Sequence, residues 1–134
     1  MHTPLTTELY WLILTITMTA LFWLPYIANR IIELGAWATL SVPDLHPEAQ
    51  WAQRLMKAHA NAVENLVVFA PLLLIVQITG MNSSITATTS MVYFFTRLIH
   101  VIAYLIAVPV VRTFAFVGGF FCQLVLVITL LNAF

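Results

Sequence analysis

Four polar side chains interrupt the apolar run that follows residue 50. Arg54, Lys57, Asn61 and Glu64 are spaced three, four and three residues apart, an interval that stacks them on one face of a helix. A second set, Tyr93, Arg97, His100 and Tyr104, is spaced four, three and four and makes one face in the same way. Phe, Leu, Ile, Val and Ala dominate the chain around them. The two faces carry four basic groups, Arg54, Lys57, Arg97 and His100, against the single acid Glu64. A self-contained ion-pair network would balance its charges, so the excess points to an anionic ligand held between the faces. The competing reading is structural. Glu64 with Arg97 would be an interhelix ion pair, and Asn61 and the tyrosines would be hydrogen bonds between helices. That account suits one polar pair better than eight polar residues with a cationic excess.

Other chemistries lack their residues. His46, His59 and His100 are scattered, with no second ligand three or four residues away, so no metal site is expected. Cys122 is the one cysteine and lies in an apolar run, which excludes an intramolecular disulfide and a Cys-His pair. No Ser-His-Asp arrangement and no glycine-rich phosphate loop is present. His59 stands two residues from both Lys57 and Asn61, about 200° round the helix, and is assigned to packing. Net charge is zero, so no basic patch is available to neutralise phosphates, and nucleic acid is not an expected partner.

The elements that position these faces follow from composition. The chain has 134 residues, 62% hydrophobic and 7% charged, with a mean hydropathy of +0.99. Soluble domains carry about 25% charged residues, so too few charges exist here to coat a water-facing surface. The chain reads as an integral membrane protein. One crossing takes about 20 apolar residues. Spans are expected at about 7–30, 55–79, 85–108 and 113–133, in a single domain covering residues 1–134. The first reads as a retained span, since no basic segment precedes it and no small-residue cleavage site follows. A Gly/Asn/Ser cluster at residues 79–84 marks the turn between spans two and three. Pro109 marks the end of span three. Helix two should begin near Pro47, capped by Asp44 or His46.

The expected fold is therefore all-α, an up-down transmembrane four-helix bundle. Arg30, Arg54 and Lys57 flank the first loop and Arg112 lies at the third, while the second turn and both termini carry no Lys or Arg. By the positive-inside rule, loops one and three are cytoplasmic and the termini lie on the opposite side. The polar residues then cluster in the cytoplasmic half. A channel or transporter would need them through the full depth.

The pattern Arg54-x-x-Lys57-Ala58-His59-x-Asn61-x-x-Glu64, followed by Arg97-x-x-His100-x-x-x-Tyr104 and then Pro109 and Arg112, resembles the MAPEG family. These are membrane-associated proteins in eicosanoid and glutathione metabolism, among them the microsomal glutathione transferases. The resemblance covers almost the whole chain. It implies a homotrimer of four-helix subunits, with glutathione as co-substrate in a cleft between neighbouring subunits near the cytoplasmic side. Lys57 stands where the family usually has an arginine on a glutathione carboxylate. Asn61 and Glu64 match residues that hold the peptide and its ammonium group. Arg97, His100 and Tyr104 match the lining of helix three. Arg112 resembles the arginine that faces the thiol, and Thr113 follows it where some members have a serine. Arg30 matches a basic residue at the end of span one, and Arg54 joins the binding set. Two departures stand out. Lys57 lacks the planar fork of arginine, and Asn65 replaces a tyrosine that follows the glutamate in some members.

Glutathione carries two carboxylates, an ammonium and a thiol, which several cations, one acid and an amide would complement. Its reactive form is the thiolate, with a reference pKa near 8.5. Lowering that to about 6.5 takes roughly 2.7 kcal/mol of preferential stabilisation. The resemblance assigns this to Arg112, with Tyr104 donating to the sulfur or to a reacting oxygen. It implies transfer of glutathione to, or reduction with it of, a lipophilic electrophile or peroxide that arrives through the membrane lipid. The alternative within the family is a non-catalytic binding or scaffold member.

Overall fold

The computed structural model describes residues 2, 4–41 and 47–134. The caps expected at Asp44 or His46 lie outside the described residues. Six helices are present among them: α1 (Thr7–Leu21), α2 (Trp23–Leu34), α3 (Ala36–Ser41), α4 (Gln50–Thr79), α5 (Ser84–Leu105) and α6 (Pro109–Leu131). They form an all-α bundle with four crossings, each long and apolar enough to span a membrane: Thr7–Leu34, then α4, α5 and α6. The chain is an integral membrane protein.

Proline chemistry shapes three of the four crossings. The first breaks at Phe22 into α1 and α2. Pro25 has no N–H to return to the carbonyl of Leu21, and its ring crowds that turn. Pro71 lies inside α4. Pro109 stands in the first turn of α6, where its missing N–H costs nothing and its fixed φ suits a helix start. Pro109 thus opens the fourth crossing, while the third, α5, has already ended at Leu105, where the Val108 N–H returns to the Ala103 carbonyl at 2.9 Å. Arg112 and Thr113, expected at the edge of span four, are in the first turns of α6.

The start of α4 differs from the expectation at Pro47, and the reason is tertiary. The Glu33 carboxylate accepts from the backbone N–H of Glu48 (3.0 Å) and of Ala49 (3.2 Å). Gln53 donates to the carbonyl of Pro47 at 2.8 Å. Residues 47–49 are held outside the helix by a side chain from α2. At the other end of α4, Gly80 takes a left-handed conformation (φ 70°, ψ 19°), and Met81 N–H returns to the Val76 carbonyl at 3.0 Å. That is the glycine-terminated stop expected of the 79–84 cluster.

Two apolar cores result. Leu12, Phe69, Leu73, Val76, Tyr93, Cys122 and Leu126 fill the half towards the termini, with the Phe69 and Tyr93 rings stacked at 3.6 Å. Leu55, Ala58 and Val101, joined by Phe22, Tyr26, Tyr104 and Leu105, fill the half towards loop one. His59 packs as expected. It shares a 2.8 Å hydrogen bond with Tyr26 and meets the Phe22 ring edge-on, tying α4 to α2.

Glu8 is the surprise of the far end. It is 3% exposed and accepts from the Thr86 hydroxyl at 2.6 Å, across from the N-terminus of α5. Ser83 and Thr86 form a reciprocal capping box there, and a carboxylate at a helix N-terminus complements its partial positive charge. Glu8→Ala is expected to destabilise the bundle by about 1–3 kcal/mol, since it removes a hydrogen bond to a charged group and the carboxylate that faces the start of α5. Glu8→Gln, which keeps an acceptor, should recover much of that. Thermal midpoints in detergent, compared across the pair, check both.

Candidate functional site: a polar cavity at the start of helix α6

Between the two cores lies a polar layer centred on Arg97. Its side chain is 1% exposed. Nη1 donates to Asn61 Oδ1 at 3.2 Å and Nη2 to the Ala115 carbonyl at 3.4 Å. The guanidinium also lies 5.8 Å from the Tyr93 ring centroid and 5.9 Å from that of Phe116. Gly119 makes room for it: a Cβ on that residue would stand 3.0 Å from Nη2 and 3.3 Å from Cζ. The ion pair weighed as the structural alternative, Glu64 with Arg97, is not formed. Arg97 meets only neutral groups among the described residues.

In front of Arg97 opens a cavity of about 220 Å³, lined by Asn61, His100, Tyr104, Arg112, Thr113 and Phe116. Helices α4, α5 and α6 each contribute. Arg112 stacks its guanidinium over the Tyr104 ring, 4.7 Å from the centroid, which holds a flat cation against a flat face. The ring of His100 lies 5.7 Å from Tyr104 and 6.4 Å from Phe116. His100 is 3% exposed, and its Nδ1 is buried without a hydrogen-bond partner. The hydroxyl of Thr113 donates to the Pro109 carbonyl at 2.9 Å, so towards the cavity it can only accept. Because Arg112 and Thr113 occupy the beginning of α6, the helix terminus adds a favourable field for negative charge.

The helix-two stripe is split by the edge of the bundle. Asn61 faces inward to Arg97, and Arg54 donates from Nε to the Leu105 carbonyl at 3.0 Å, fastening α4 to the end of α5. Lys57 and Glu64 are exposed, on the other edge of the stripe. Lys57 borders a separate groove with Gln53, Met56 and Ala60. Arg30 is buried on α2 and does not line the cavity. The structure therefore brings Asn61, His100, Tyr104, Arg112 and Thr113 together, with Arg97 behind them. It leaves Lys57 and Glu64 on an outer face and Arg54 and Arg30 in other contacts.

Two residues of this region, Phe116 and Gln123, escaped the sequence reading, and Asn65 entered it only as a departure from the family pattern. Phe116 lines the cavity one helical turn beyond Arg112, and an aromatic in an apolar span carries no distinguishing signal. Asn65 and Gln123 form a hydrogen-bonded pair behind Asn61. A polar amide isolated in an apolar span was the available clue.

The fold and the cavity define a four-span membrane protein with a cationic, partly aromatic site open to one end of the bundle. The family model for MAPEG matches residues 8–132, nearly the whole chain, and the chain belongs to the MAPEG family. No curated protein and no solved structure matched in the other two comparisons. Among the described residues no group of His, Cys, Asp or Glu side chains could hold a metal ion.

Proposed function

We propose that this protein is a glutathione-dependent membrane enzyme, transferring glutathione to a lipophilic electrophile or using it to reduce a lipophilic peroxide. The observation that carries the reading is Arg112, stacked on Tyr104 at the mouth of α6, in a cavity with no carboxylate to satisfy it. Such a cation is placed to favour a thiolate, and family membership makes glutathione the expected source of one. Asn61 offers the peptide an amide, and Arg97 stands behind as a fixed positive charge. His100 and Phe116 supply flat walls for the peptide or for an apolar second substrate. Tyr104 is the group that would hydrogen-bond the sulfur or a reacting oxygen.

One subunit does not complete the site. Its cavity of about 220 Å³ falls below the roughly 300–1,000 Å³ of ordinary small-molecule pockets. Glu64, meanwhile, is an exposed carboxylate within an apolar crossing, flanked by exposed Val63, Val67 and Val68. Lipid cannot satisfy it. A neighbouring subunit that closes over this face in a homotrimer would enlarge the pocket and bring Lys57 and Glu64 to the ends of the bound peptide. In the membrane this site lies on the cytoplasmic side, with the termini opposite.

The test is a titration of reduced glutathione into the detergent-solubilised oligomer, following thiolate absorbance across pH. Saturable binding, with thiolate appearing well below the pH at which free glutathione ionises, is the expected result. Binding without thiolate would keep the cleft and favour a non-catalytic binding protein. Folded, oligomeric protein that does not bind would remove glutathione from the account.

A further inference from the structure

Behind the cavity runs a short chain of amides whose directions are fixed. Asn65 Nδ2 donates to the backbone carbonyl of Asn61 at 2.8 Å. A carbonyl only accepts, so that end of the Asn65 amide must be its nitrogen. The same nitrogen lies 3.4 Å from Asn61 Oδ1. Gln123, 8% exposed on α6, donates from Nε2 to the Asn65 carbonyl at 3.2 Å and lies 3.5 Å from Asn65 Oδ1. From the opposite side, Arg97 Nη1 donates to Asn61 Oδ1. Guanidinium and amide nitrogens only donate, so the Asn61 oxygen is pinned inward by two donors. Its NH2 group must then point the other way. Asn61 lines the cavity, and its NH2 has no hydrogen-bond partner among the described residues.

We infer that Asn65 and Gln123 are positioning residues which, with Arg97, hold Asn61 so that its amide N–H groups face the ligand. The group they would meet is an acceptor, a peptide carbonyl or carboxylate of glutathione; the inference thus rests on the reading above. An asparagine free to rotate would offer its oxygen half the time, and a buried mismatch between two acceptors is costly.

The experiment measures binding of S-methylglutathione, which lacks a free thiol and so reports the peptide grip independently of Arg112. It compares the wild-type oligomer with Asn65→Asp, Asn61→Ala and the double variant. The Asn65→Asp change keeps the size of the side chain but replaces its donor by an acceptor, which draws the Asn61 NH2 inward. Affinity is expected to fall about tenfold in Asn65→Asp. In the Asn61→Ala background the same change should cost nothing further, because Asn65 acts only through Asn61. An equal loss in both backgrounds would overturn the inference, as would unchanged affinity in Asn65→Asp. Gln123→Asn, too short to reach Asn65, gives the same reading if Asn65→Asp does not assemble. Wild-type protein that fails to bind S-methylglutathione would instead overturn the glutathione reading itself, so the two failures are distinct.

Discussion

Arg112→Ala is expected to abolish the thiolate signal of bound glutathione at neutral pH while leaving the affinity for S-methylglutathione within a few-fold of wild type. The argument is electrostatic. Arg112 lies over the Tyr104 ring in the first turns of α6 and has no carboxylate partner among the described residues, so its charge is uncommitted. A sulfur beside it gains from the ionised form only. If the site lowers the thiol from about 8.5 to about 6.5, removing the cation returns up to about 100-fold in the ionisation constant. The sign follows directly. Turnover in the variant should fall by on the order of 100-fold near pH 6.5 and recover as pH rises towards that of free thiol ionisation. Arg112→Lys keeps the charge but loses the flat stacking surface, so an intermediate effect is expected. A thiolate signal undiminished in Arg112→Ala would remove Arg112 from the sulfur and leave the helix N-terminus or Arg97 as its source of stabilisation.

How much of the bundle was legible in the sequence is a matter of range. Composition and the length of the apolar runs were enough for four crossings, because an apolar run of that length has few alternatives in water or lipid. The turn at residues 79–84 was legible from Gly80, the residue type that takes the left-handed stop most readily. The start of α4 was not, because the group that holds Glu48 and Ala49 out of the helix is Glu33, on another element. The break at Phe22 had its cause in view at Pro25, but the hydropathy of the run concealed it.

The site divides in the same way. Helical spacing placed Arg97, His100 and Tyr104 on one face, and all three lie at the polar layer or its cavity. Spacing also placed Arg54, Lys57, Asn61 and Glu64 together, yet that stripe is wide enough for the bundle edge to cut through it. Asn61 and Arg54 make contacts to α5, while Lys57 and Glu64 are exposed. Periodicity identifies a face and cannot say where the neighbouring helix stops covering it. The charge excess read from the sequence was the more durable signal. Arg97 bonds to an amide and a carbonyl, neither able to neutralise it.

That uncompensated guanidinium leads to the second large effect. Arg97→Met is expected to raise the thermal stability of the bundle while weakening glutathione binding by about tenfold or more. Desolvating a charge that has only neutral hydrogen-bond partners is unfavourable, and replacing buried charged groups by apolar ones of similar volume has stabilised proteins by about 1–4 kcal/mol. The flexible thioether of methionine can follow the slot that Gly119 opens. Little is left unsatisfied by the change. Asn61 retains Asn65 as a neighbour, and Ala115 lies within α6, where its carbonyl has its helical partner. Binding should suffer for the opposite reason: a positive charge behind the cavity disappears, and with it one of the donors that orients Asn61. Thermal unfolding and S-methylglutathione affinity, measured on the same preparation, separate the two effects. A rise in stability with a loss of binding means that the buried cation is kept for its ligand. A fall in both would mean that Arg97 is chiefly a structural bond between α4, α5 and α6, and that the anion-accepting character of the site resides in Arg112 alone.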